Sequence, residues 1–372
     1  MSKKVLITAT VQSHICQFHK PLMKMLKENG YEVHVAARDN LAEKNGLKME
    51  YADKVYDIPF KRSPFHPGNL KAYKMLKKVL KENSFDVIHC NTPVGGILTR
   101  LAAKGKRKNG TKVFYTAHGF HFYDGAPKKN WIVYYPIEKL FSRYTDKLIT
   151  ITKEDFALAQ KRFKCKTCYI HGVGANSERY VPHTEQEKTE MRRKLGFRDD
   201  DKIIINVGEL LPNKNQKTAV LAVRELVKRI PDVKLLIAGN GVEKDNLEKL
   251  ISDYHLEKNV ILLGYTMELP SYITASDVLI SCSYREGLPM NILEAMMSGK
   301  PIVASNNRGH RELVKNEKNG YLVKADDYAE YASRLATILL HQNDFAAASL
   351  KMAEPFKDYN VVNELKLIYE VD

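Results

Sequence analysis

The chain has 372 residues, of which 44% are hydrophobic, which is enough for two globular domains of ordinary size. The formal net charge of +15 is strongly basic, and five cysteines are too few for a disulfide framework. No apolar run approaches the roughly 20 residues that cross a bilayer, and the opening Met-Ser-Lys-Lys lacks the apolar core of a signal peptide. We therefore expect a cytoplasmic protein whose cysteines are free thiols.

The basic charge is concentrated in the first half of the chain. Residues 1–180 contain 33 Lys and Arg against 15 Asp and Glu, a net +18, whereas the remainder carries −3. An amphipathic helix predicted at 70–81 and a cluster at 104–112 hold much of this excess. The helix contributes Lys71, Lys74, Lys77, Lys78 and Lys81. Nucleic acid, an anionic membrane surface, a diphosphate-linked acceptor or a merely solvated surface would each account for the charge.

Strand and helix patterns alternate along the first half. Residues 4–9 predict a buried strand, 15–28 a helix and 32–37 a second strand, which together form one βαβ unit. Four further strands are predicted, at 54–58, 86–90, 112–117 and 146–151. Three further helices are predicted, at 68–83, 93–107 and 130–144. Apolar strands that alternate with helices predict a parallel sheet covered by helices on both faces.

A second series of the same kind follows a polar stretch at 182–200, which holds one predicted helix, 185–195. Its predicted strands are 202–207, 233–238, 259–264, 277–281 and 301–304. Its predicted helices are 215–229, 243–254, 268–275 and 289–298. We place the boundary near 177–182, which gives domains 1–177 and 178–355 and a final helix at 356–372. Two such halves facing each other would leave a cleft, and ligands of doubly wound sheets bind at the C-terminal ends of strands.

The stretch from Ser283 to Pro301, between two predicted strands, is the most informative. Glu286 and Gly287 form a loop before a helix whose first turn accepts Pro289, and Glu294 lies on that helix. A loop carboxylate, a glycine that permits close backbone approach and the N–H groups of a helix N-terminus make a cradle for a nucleotide sugar. For Glu294 alone, an exposed residue of a capped helix is the simpler interpretation.

The dinucleotide-binding pattern GxGxxG is absent, because strand 4–9 is followed by no glycine and Gly239-Asn240-Gly241 has no third glycine in place. A dehydrogenase is therefore not expected. Gly208 follows the first strand of the second half and Lys214 opens the next helix, an arrangement that suits a diphosphate. The alternative for Lys214 is a simply exposed lysine at a helix start.

Two patterns that are typical of metal sites are weak here. Asp199-Asp200-Asp201 contains DxD, but it lies in a polar connection where Asp is a common turn residue, so we interpret it as a solvated turn. Cys165 and Cys168 form a CxxC without a second pair nearby. We therefore expect no metal site from either pattern.

Three histidines follow predicted strands at the end where ligands bind. His118 and His121 come after strand 112–117, with Gly119 between them, and His14 lies in the first strand-to-helix loop. These positions make all three candidates for the cleft. A capped turn or a half-buried core histidine is the simpler interpretation of each one alone.

With these pieces together, the chain resembles glycosyltransferase family 4, whose members are retaining transferases of the GT-B fold. Glu286-x7-Glu294 is similar to the family's E-x7-E motif, with Glu-Gly-Leu-Pro at 286–289. The similarity to the bacterial exopolysaccharide and capsule branch covers nearly the whole chain. The segments that carry it are 8–37, 117–123, 129–131, 134–138 and 171–174. The resemblance implies an α/β GT-B architecture, two Rossmann-like doubly wound domains facing a central cleft, with 356–372 crossing back to the first domain.

The resemblance also implies roles for the matching residues. Glu286 would bind hydroxyls of the donor sugar, Glu294 the ribose hydroxyls, and Lys214 would neutralise the diphosphate. Gly208 belongs to the same donor site. His118 would reach the sugar from the opposite domain, which makes His118 and Glu286 the catalytic candidates.

Further roles follow from the same resemblance. Gly287 and Leu288 would offer backbone groups to the sugar or phosphate. The family often has Arg where this chain has Glu209, so Arg285 or Arg308 would assist with the diphosphate. His14 and His121 are the remaining cleft candidates, on the acceptor side.

The implied reaction is transfer, with retention, of a hexose or N-acetylhexosamine from a UDP-sugar to an undecaprenyl-diphosphate-linked glycan in exopolysaccharide or capsule biosynthesis. The first domain would bind the acceptor and the second the donor. No cofactor and no metal are expected, because Lys214 and the helix near Pro289 would meet the leaving-group charge. We expect a peripheral enzyme on the inner face of the cell membrane.

Two alternatives stay open. One is a GT-B enzyme that transfers nothing, such as a UDP-sugar 2-epimerase. The other is a basic nucleic-acid-binding protein, although the chain contains no recognised nucleic-acid module and nucleic acid is not the expected partner.

Overall fold

The computed structural model describes residues 2–43, 47–341 and 344–371. The chain divides into two compact units, Met1–Gly174 with Asp358–Asp372, and Ala175–Lys357. We refer to them as the N-terminal unit and the C-terminal unit. The first division falls three residues before the predicted limit at 177, and the last helix is grouped with the N-terminal unit.

The N-terminal unit is built on a parallel sheet with seven strands in its described residues. These are β1 (Lys4–Val11), β2 (Glu32–Arg38), β3 (Lys54–Asp57), β4 (Val87–Asn91), β5 (Lys112–Ala117), β6 (Lys147–Thr150) and β7 (Lys166–Tyr169). The helices between them are α1 (Gln12–Phe18), α2 (Lys20–Glu28), α3 (Asn69–Glu82), α4 (Pro93–Ala103), α5 (Lys128–Phe141) and α6 (Lys153–Arg162). The strand order is β3-β2-β1-β4-β5-β6-β7, so the direction of winding reverses between β1 and β4. That reversal is where doubly wound sheets bind ligands.

The C-terminal unit has six described strands in the order β10-β9-β8-β11-β12-β13, and all pair in parallel. They are β8 (Ile203–Val207), β9 (Lys234–Ala238), β10 (Val260–Gly264), β11 (Val278–Ser281), β12 (Ile302–Ser305) and β13 (Gly320–Val323). Its helices are α7 (Glu185–Lys194), α8 (Gln216–Leu226), α9 (Lys244–Asp253), α10 (Leu269–Ala275), α11 (Met290–Met297), α12 (Arg308–Leu313), α13 (Tyr328–Leu340) and α14 (Phe345–Ala353). The winding reverses between β8 and β11. The final helix, α15 (Asp358–Tyr369), returns to the N-terminal unit.

Burial of the strands explains why both sheets are covered on two faces. Every residue of β1 from Val5 to Val11 is buried, so side chains that point to opposite faces are all removed from water. Helix α3 covers one of these faces with Ala72, Leu76, Val79 and Leu80. The predicted fold class, two doubly wound α/β units, is confirmed.

Several elements differ from the prediction for identifiable reasons. The helix predicted at 15–28 is two helices, α1 and α2, which are separated at His19. Pro21 lies in the first turn of α2. It has no backbone N–H to donate to the carbonyl four residues earlier, and its ring clashes with that carbonyl, so a continuous helix is interrupted here. Helix α11 begins at Met290, with Pro289 as its N-cap rather than inside its first turn.

Helix α15 is attached to the N-terminal unit through its buried face. Val361, Leu365, Ile368 and Tyr369 are buried, and the Tyr369 hydroxyl lies 2.6 Å from Nδ1 of His89 on β4. Nε2 of His89 lies 2.7 Å from the Thr116 hydroxyl on β5. These contacts join the chain end to the two central strands that carry one of the candidate sites.

Candidate active site

In the C-terminal unit, the loops that follow β8 and β11 lie side by side at the carboxyl ends of the strands. The backbone N–H of Tyr284 donates to the carbonyl of Asn213 over 2.9 Å, and the Asn213 side chain donates to the carbonyl of Arg285 over 3.0 Å. The Asn291 side chain, in the first turn of α11, donates to the carbonyl of Val207 over 2.7 Å. The two segments predicted to bind the donor are therefore held together by the protein itself.

Lys214 and Glu286 form an ion pair at the centre of this site. Nζ of Lys214 lies 2.7 Å from Oε1 of Glu286, and the two side chains are 25% and 13% exposed. The sequence placed both residues in the donor site but did not predict that they pair. A partly buried ion pair holds both side chains in place, and an anionic ligand that reaches Lys214 would compete with Glu286 for it.

Glu294 lies on α11, and its carboxyl group is enclosed although the residue as a whole is half-buried. Burial raises the pKa of this carboxyl to about 7, against the opposing effects of a hydrogen bond from Tyr180 and the charge of Arg179. The simpler interpretation, an exposed glutamate on a capped helix, is therefore wrong. An enclosed carboxyl with a raised pKa is costly to keep and is typical of functional sites.

Two glycines that the sequence analysis did not select allow the loops to approach each other. A Cβ atom on Gly239 would lie 1.9 Å from the carbonyl oxygen of Gly208, and one on Gly309 would lie 2.3 Å from the carbonyl oxygen of Gly287. Any side chain at Gly239 or Gly309 would therefore push the neighbouring loop away. Gly239 packs on Gly208 and Gly309 packs on Gly287, and these two partners are the glycines that were predicted from the sequence.

The two predicted auxiliary arginines differ in environment. Arg308 opens α12 beside the Glu286 loop and is 5% exposed, whereas Arg285 is exposed to solvent. Leu288, predicted to offer backbone groups, packs its side chain on the hydrophobic core of the unit. Glu209, which stands where the family often has Arg, is exposed.

The three aspartates of the DxD pattern bind residues close to them in the sequence. The carboxylates of Asp199 and Asp200 pair with Arg193 and Arg198, at 2.6 and 2.8 Å. Asp201 accepts a hydrogen bond from the backbone N–H of Arg198. This geometry agrees with the predicted turn. The five cysteines are free, with Cys168 on β7 and Cys165 just before it.

In the N-terminal unit, His14 and His118 come together at the carboxyl ends of β1 and β5. Their Nε2 atoms are 3.3 Å apart, and Nε2 of His118 lies 3.4 Å from the side-chain oxygen of Asn91 at the end of β4. The ring of His19 lies beside both, with centroids 5.4 Å from His14 and 5.2 Å from His118. His19 falls inside the helix predicted at 15–28 and was not among the predicted site residues.

Burial keeps these three imidazoles neutral at pH 7. It lowers the pKa of His14 to about 4 and holds the pKa values of His19 and His118 well below the ordinary value. The neighbouring histidines lower the pKa values of His19 and His118 further. Each ring can therefore present a nitrogen lone pair.

A cavity of about 350 Å³ adjoins this cluster within the N-terminal unit. His14, Arg62, His121, Tyr134 and Glu138 are among the residues that line it. The rings of His121 and Tyr134 are stacked with centroids 4.6 Å apart. The cavity thus combines a cationic group, aromatic faces and a carboxylate, a lining that suits a polar ligand such as a sugar.

The wall of this cavity depends on residues that the sequence analysis missed. Arg100, 1% exposed, donates to Glu138 over 2.9 Å, and the Tyr115 hydroxyl donates to the other oxygen of Glu138 over 3.1 Å. A Cβ atom on Gly96 would lie 2.7 Å from the Tyr115 ring. Thr92 has a left-handed φ of 63°, which is unusual for a β-branched residue and typical of strained functional segments.

Two family models match the chain. The model described as glycosyl transferases group 1 matches residues 187–355, and the one described as glycosyl transferase 4-like matches residues 4–152. The chain is 43% identical to the putative glycosyltransferase EpsD of Bacillus subtilis over 99% of its own length and 97% of that protein. The chain belongs to glycosyltransferase family 4.

Other similar proteins agree with this membership. This glycosyltransferase is 31% identical to UDP-Gal:alpha-D-GlcNAc-diphosphoundecaprenol alpha-1,3-galactosyltransferase of Escherichia coli, over 73% of this chain and 70% of that protein. Its fold is similar to that of Anabaena HepE solved in complex with UDP, with a TM-score of 0.80 at 20% identity over 99% of both chains. The predicted recognition of the family and of its GT-B fold is confirmed.

Among the described residues, no α-helix combines the length and the apolarity that a membrane span requires.

Proposed function

We propose that this glycosyltransferase moves a hexose or an N-acetylhexosamine from a UDP-sugar to a lipid-diphosphate-linked glycan, with retention of configuration, in polysaccharide biosynthesis. The observation that carries the proposal is the placement of Lys214, Glu286 and Glu294 around one edge of the C-terminal sheet. The name of the E. coli relative, which specifies UDP-galactose and a diphosphoundecaprenol-linked acceptor, supports the donor and acceptor classes. The UDP complexes of structural neighbours support the nucleotide.

The C-terminal unit is proposed to bind the donor. Glu286 accepts hydrogen bonds from sugar hydroxyls, and Glu294 accepts them from the ribose. The diphosphate replaces Glu286 as the ion-pair partner of the Lys214 ammonium group. The Glu286 carboxylate can then bind the sugar. Gly208, Gly287 and Leu288 supply backbone groups at the same edge, where the N-terminus of α11 favours an anion.

We propose that protein groups stabilise the negative charge that develops on the leaving UDP. Lys214 is paired with Glu286, Arg308 is the first residue of the adjacent helix α12, and the side chain of Arg285 is exposed. Fixed cations and N–H groups in a partly closed site stabilise such charge strongly. The leaving diphosphate can then accept the acceptor's proton, so the reaction needs neither an enzymic nucleophile nor a metal on the diphosphate.

The N-terminal unit is proposed to bind the acceptor. Its candidates are His14, His118 and His121, of which His14 and His121 line the 350 Å³ cavity. The +18 charge of residues 1–180 favours a diphosphate-linked molecule. His118 remains the catalytic candidate of this unit.

The same unit is proposed to hold the enzyme at the inner face of the membrane. All five lysines of α3 named above are exposed, and the helix uses its opposite face for the core. A second cavity, of about 400 Å³, is lined by Lys77, Lys78, Lys81 and Lys106. Clustered lysines of this kind attract anionic lipid headgroups by about 1 kcal/mol each.

Calorimetry with UDP, GDP and their sugars tests the donor assignment. We expect UDP to bind and GDP to bind at least tenfold more weakly. Glu294→Ala should weaken UDP binding about 10–150-fold, because a hydrogen bond to a charged group contributes about 1.5–3 kcal/mol. Glu248→Ala, which breaks an exposed ion pair with Lys244 on α9, is the control. An affinity for UDP that is equal in wild type and Glu294→Ala would contradict the ribose assignment.

A further inference from the structure

The cluster of His14, His19 and His118 has the composition of a transition-metal site. One ring nitrogen of each residue lies within 4.8 Å of a ring nitrogen of the other two. In a tetrahedral zinc site with Zn–N bonds of about 2.05 Å, ligand nitrogens are about 3.3 Å apart. The His14 and His118 Nε2 atoms already have that separation, 3.3 Å.

The third nitrogen needs only a small movement. With one nitrogen separation of 3.3 Å and the other two at the longest permitted value, 4.8 Å, the point equidistant from all three nitrogens lies about 2.6 Å from each. This distance exceeds a zinc–imidazole bond by about 0.5 Å, which rotation of the His19 ring toward the other two nitrogens has to remove. His19 lies between α1 and α2, and hydrogen bonds to Ile15 and Met23 hold its backbone, so the movement falls to its side chain.

The nitrogen of His19 is the observation that points to a ligand. Its Nε2 is buried and has no hydrogen-bond partner among the described residues, and the residue is 4% exposed. Buried polar atoms are nearly always satisfied, so an unsatisfied one calls for an explanation. A bound cation would supply the missing partner.

Other buried histidines of the chain show the contrast. Both ring nitrogens of His34 are close to partners, Tyr56 and Glu32, at 3.1 and 2.6 Å. His89, which lies next to the cluster, has both nitrogens engaged by Tyr369 and Thr116. His89 is therefore not available as a fourth ligand.

We propose that His14, His19 and His118 bind one transition-metal ion, zinc by preference, in the N-terminal unit. Imidazole nitrogen suits zinc and its first-row neighbours, whereas Mg²⁺ and Ca²⁺ require oxygen ligands. Three protein ligands leave the fourth tetrahedral position for water or for an oxygen of a molecule in the adjoining cavity, which His14 also lines.

This inference concerns the N-terminal unit and does not rest on the proposed transfer reaction. The donor diphosphate is assigned to the C-terminal unit, where Lys214 supplies the charge. His14 and His118 are also assigned to the acceptor side of the transfer reaction, so the test measures metal binding directly and not transfer activity.

Cobalt spectroscopy on the full chain, free of any affinity tag and stripped of metal, tests the site. We expect one equivalent of Co²⁺ to bind with the visible absorption of a tetrahedral ion, and one equivalent of Zn²⁺ to displace it. His14→Ala and His118→Ala should each lose the absorption and weaken zinc binding at least about 10–100-fold. His121→Ala, which removes a histidine of the same cavity outside the cluster, should bind like wild type.

Thermal unfolding gives a second readout for the same variants. Zinc should raise the unfolding temperature of wild type and His121→Ala but not that of His14→Ala, since a ligand stabilises only the state that binds it. Absence of tetrahedral Co²⁺ absorption in wild type would overturn the proposal. Equal zinc affinity in wild type and His14→Ala would overturn it as well.

Discussion

The ion pair between Lys214 and Glu286 leads to the first prediction. Glu286→Gln keeps the size of the side chain but removes the charge that pairs with Lys214 at 2.7 Å. We expect kcat for transfer to fall about 100-fold or more, because a group that contacts the reacting sugar acts mainly in the transition state. The affinity for UDP should stay within a few-fold of wild type, since Lys214 is retained.

Steady-state kinetics and calorimetry on the same preparation check this prediction. Glu248→Gln, which breaks the exposed Lys244–Glu248 pair of α9, controls for the loss of an ion pair and should leave both values unchanged. Wild-type turnover in Glu286→Gln would remove this residue from the catalytic candidates.

The enclosed carboxyl of Glu294 predicts a pH-dependent effect on stability. Its pKa is raised from 4.5 to about 7 in the folded protein, so the folded chain holds this proton more tightly than the unfolded chain. The resulting stability is present below pH 4.5 and is lost as the pH rises through 7. Glu294→Gln, a neutral mimic of the acid, should therefore be about 1–3 kcal/mol more stable relative to wild type at pH 8 than at pH 5.

Chemical unfolding of both proteins at the two pH values measures this difference. Glu248→Gln, which neutralises an exposed carboxylate of α9, is the matched control measured at the same two pH values. If Glu294→Gln behaves identically at both pH values, the carboxyl is ionised in the folded protein with an ordinary pKa.

At the scale of residues, the sequence predicted those parts of the site that lie within one continuous motif. Glu286, Gly287 and Glu294 share a single loop and helix, and the resemblance of this stretch to the family's motif indicated them. Tyr180 and Gly309 were not predicted, because each lies outside this motif in the sequence and comes close to it only when the chain folds. The same holds for His19, whose neighbour His118 is about 100 positions away in the sequence.

At the scale of elements, eleven of the thirteen described strands were predicted, whereas β7, β13, α6, α12, α13 and α14 were not. Strand β7 is half-exposed along its length, so it has no continuous apolar run to indicate a strand. Helix α12 has six residues, fewer than two turns, which is too short for a helical period to be recognised. The break between α1 and α2 was indicated by Pro21 and was overlooked because the apolar spacing continues across it.

The lysine face of α3 carries the prediction for the membrane. Lys71, Lys74, Lys77 and Lys78 are exposed, while Leu76, Val79 and Leu80 are buried on the other face. Replacing the four lysines with Gln should weaken binding to anionic vesicles without unfolding the unit, because no core contact is removed. At about 1 kcal/mol for each lysine near the surface, the loss should exceed 100-fold at low salt.

Co-sedimentation with anionic and with neutral vesicles measures this effect. A matched variant with Lys217, Lys228, Lys244 and Lys249 replaced by Gln removes the same charge from exposed positions of the C-terminal unit. It should sediment like wild type. Equal sedimentation of the α3 variant and wild type would show that this face is only solvated.

At the scale of the whole molecule, the charges of the donor site predict which metals matter to transfer. After treatment with a chelator, addition of Mg²⁺ or Mn²⁺ should leave kcat/KM unchanged, because Lys214 and the arginines meet the charge of the diphosphate. Loss of activity that Mg²⁺ or Mn²⁺ restores would contradict this assignment. Restoration by zinc alone would instead point to the histidine cluster of the N-terminal unit, since oxygen-preferring cations do not suit it.

Release of UDP with and without an acceptor tests the central claim most directly. The enzyme would be incubated with UDP-galactose, UDP-glucose and the two UDP-N-acetylhexosamines, each alone and with a lipid-diphosphate-linked N-acetylglucosamine. We expect one donor to release UDP only when the acceptor is present, with one sugar added to the acceptor and its anomeric configuration retained in the NMR spectrum of the product. UDP release or sugar isomerisation that proceeds equally well without the acceptor would contradict the claim that this enzyme is a transferase acting on such a glycan.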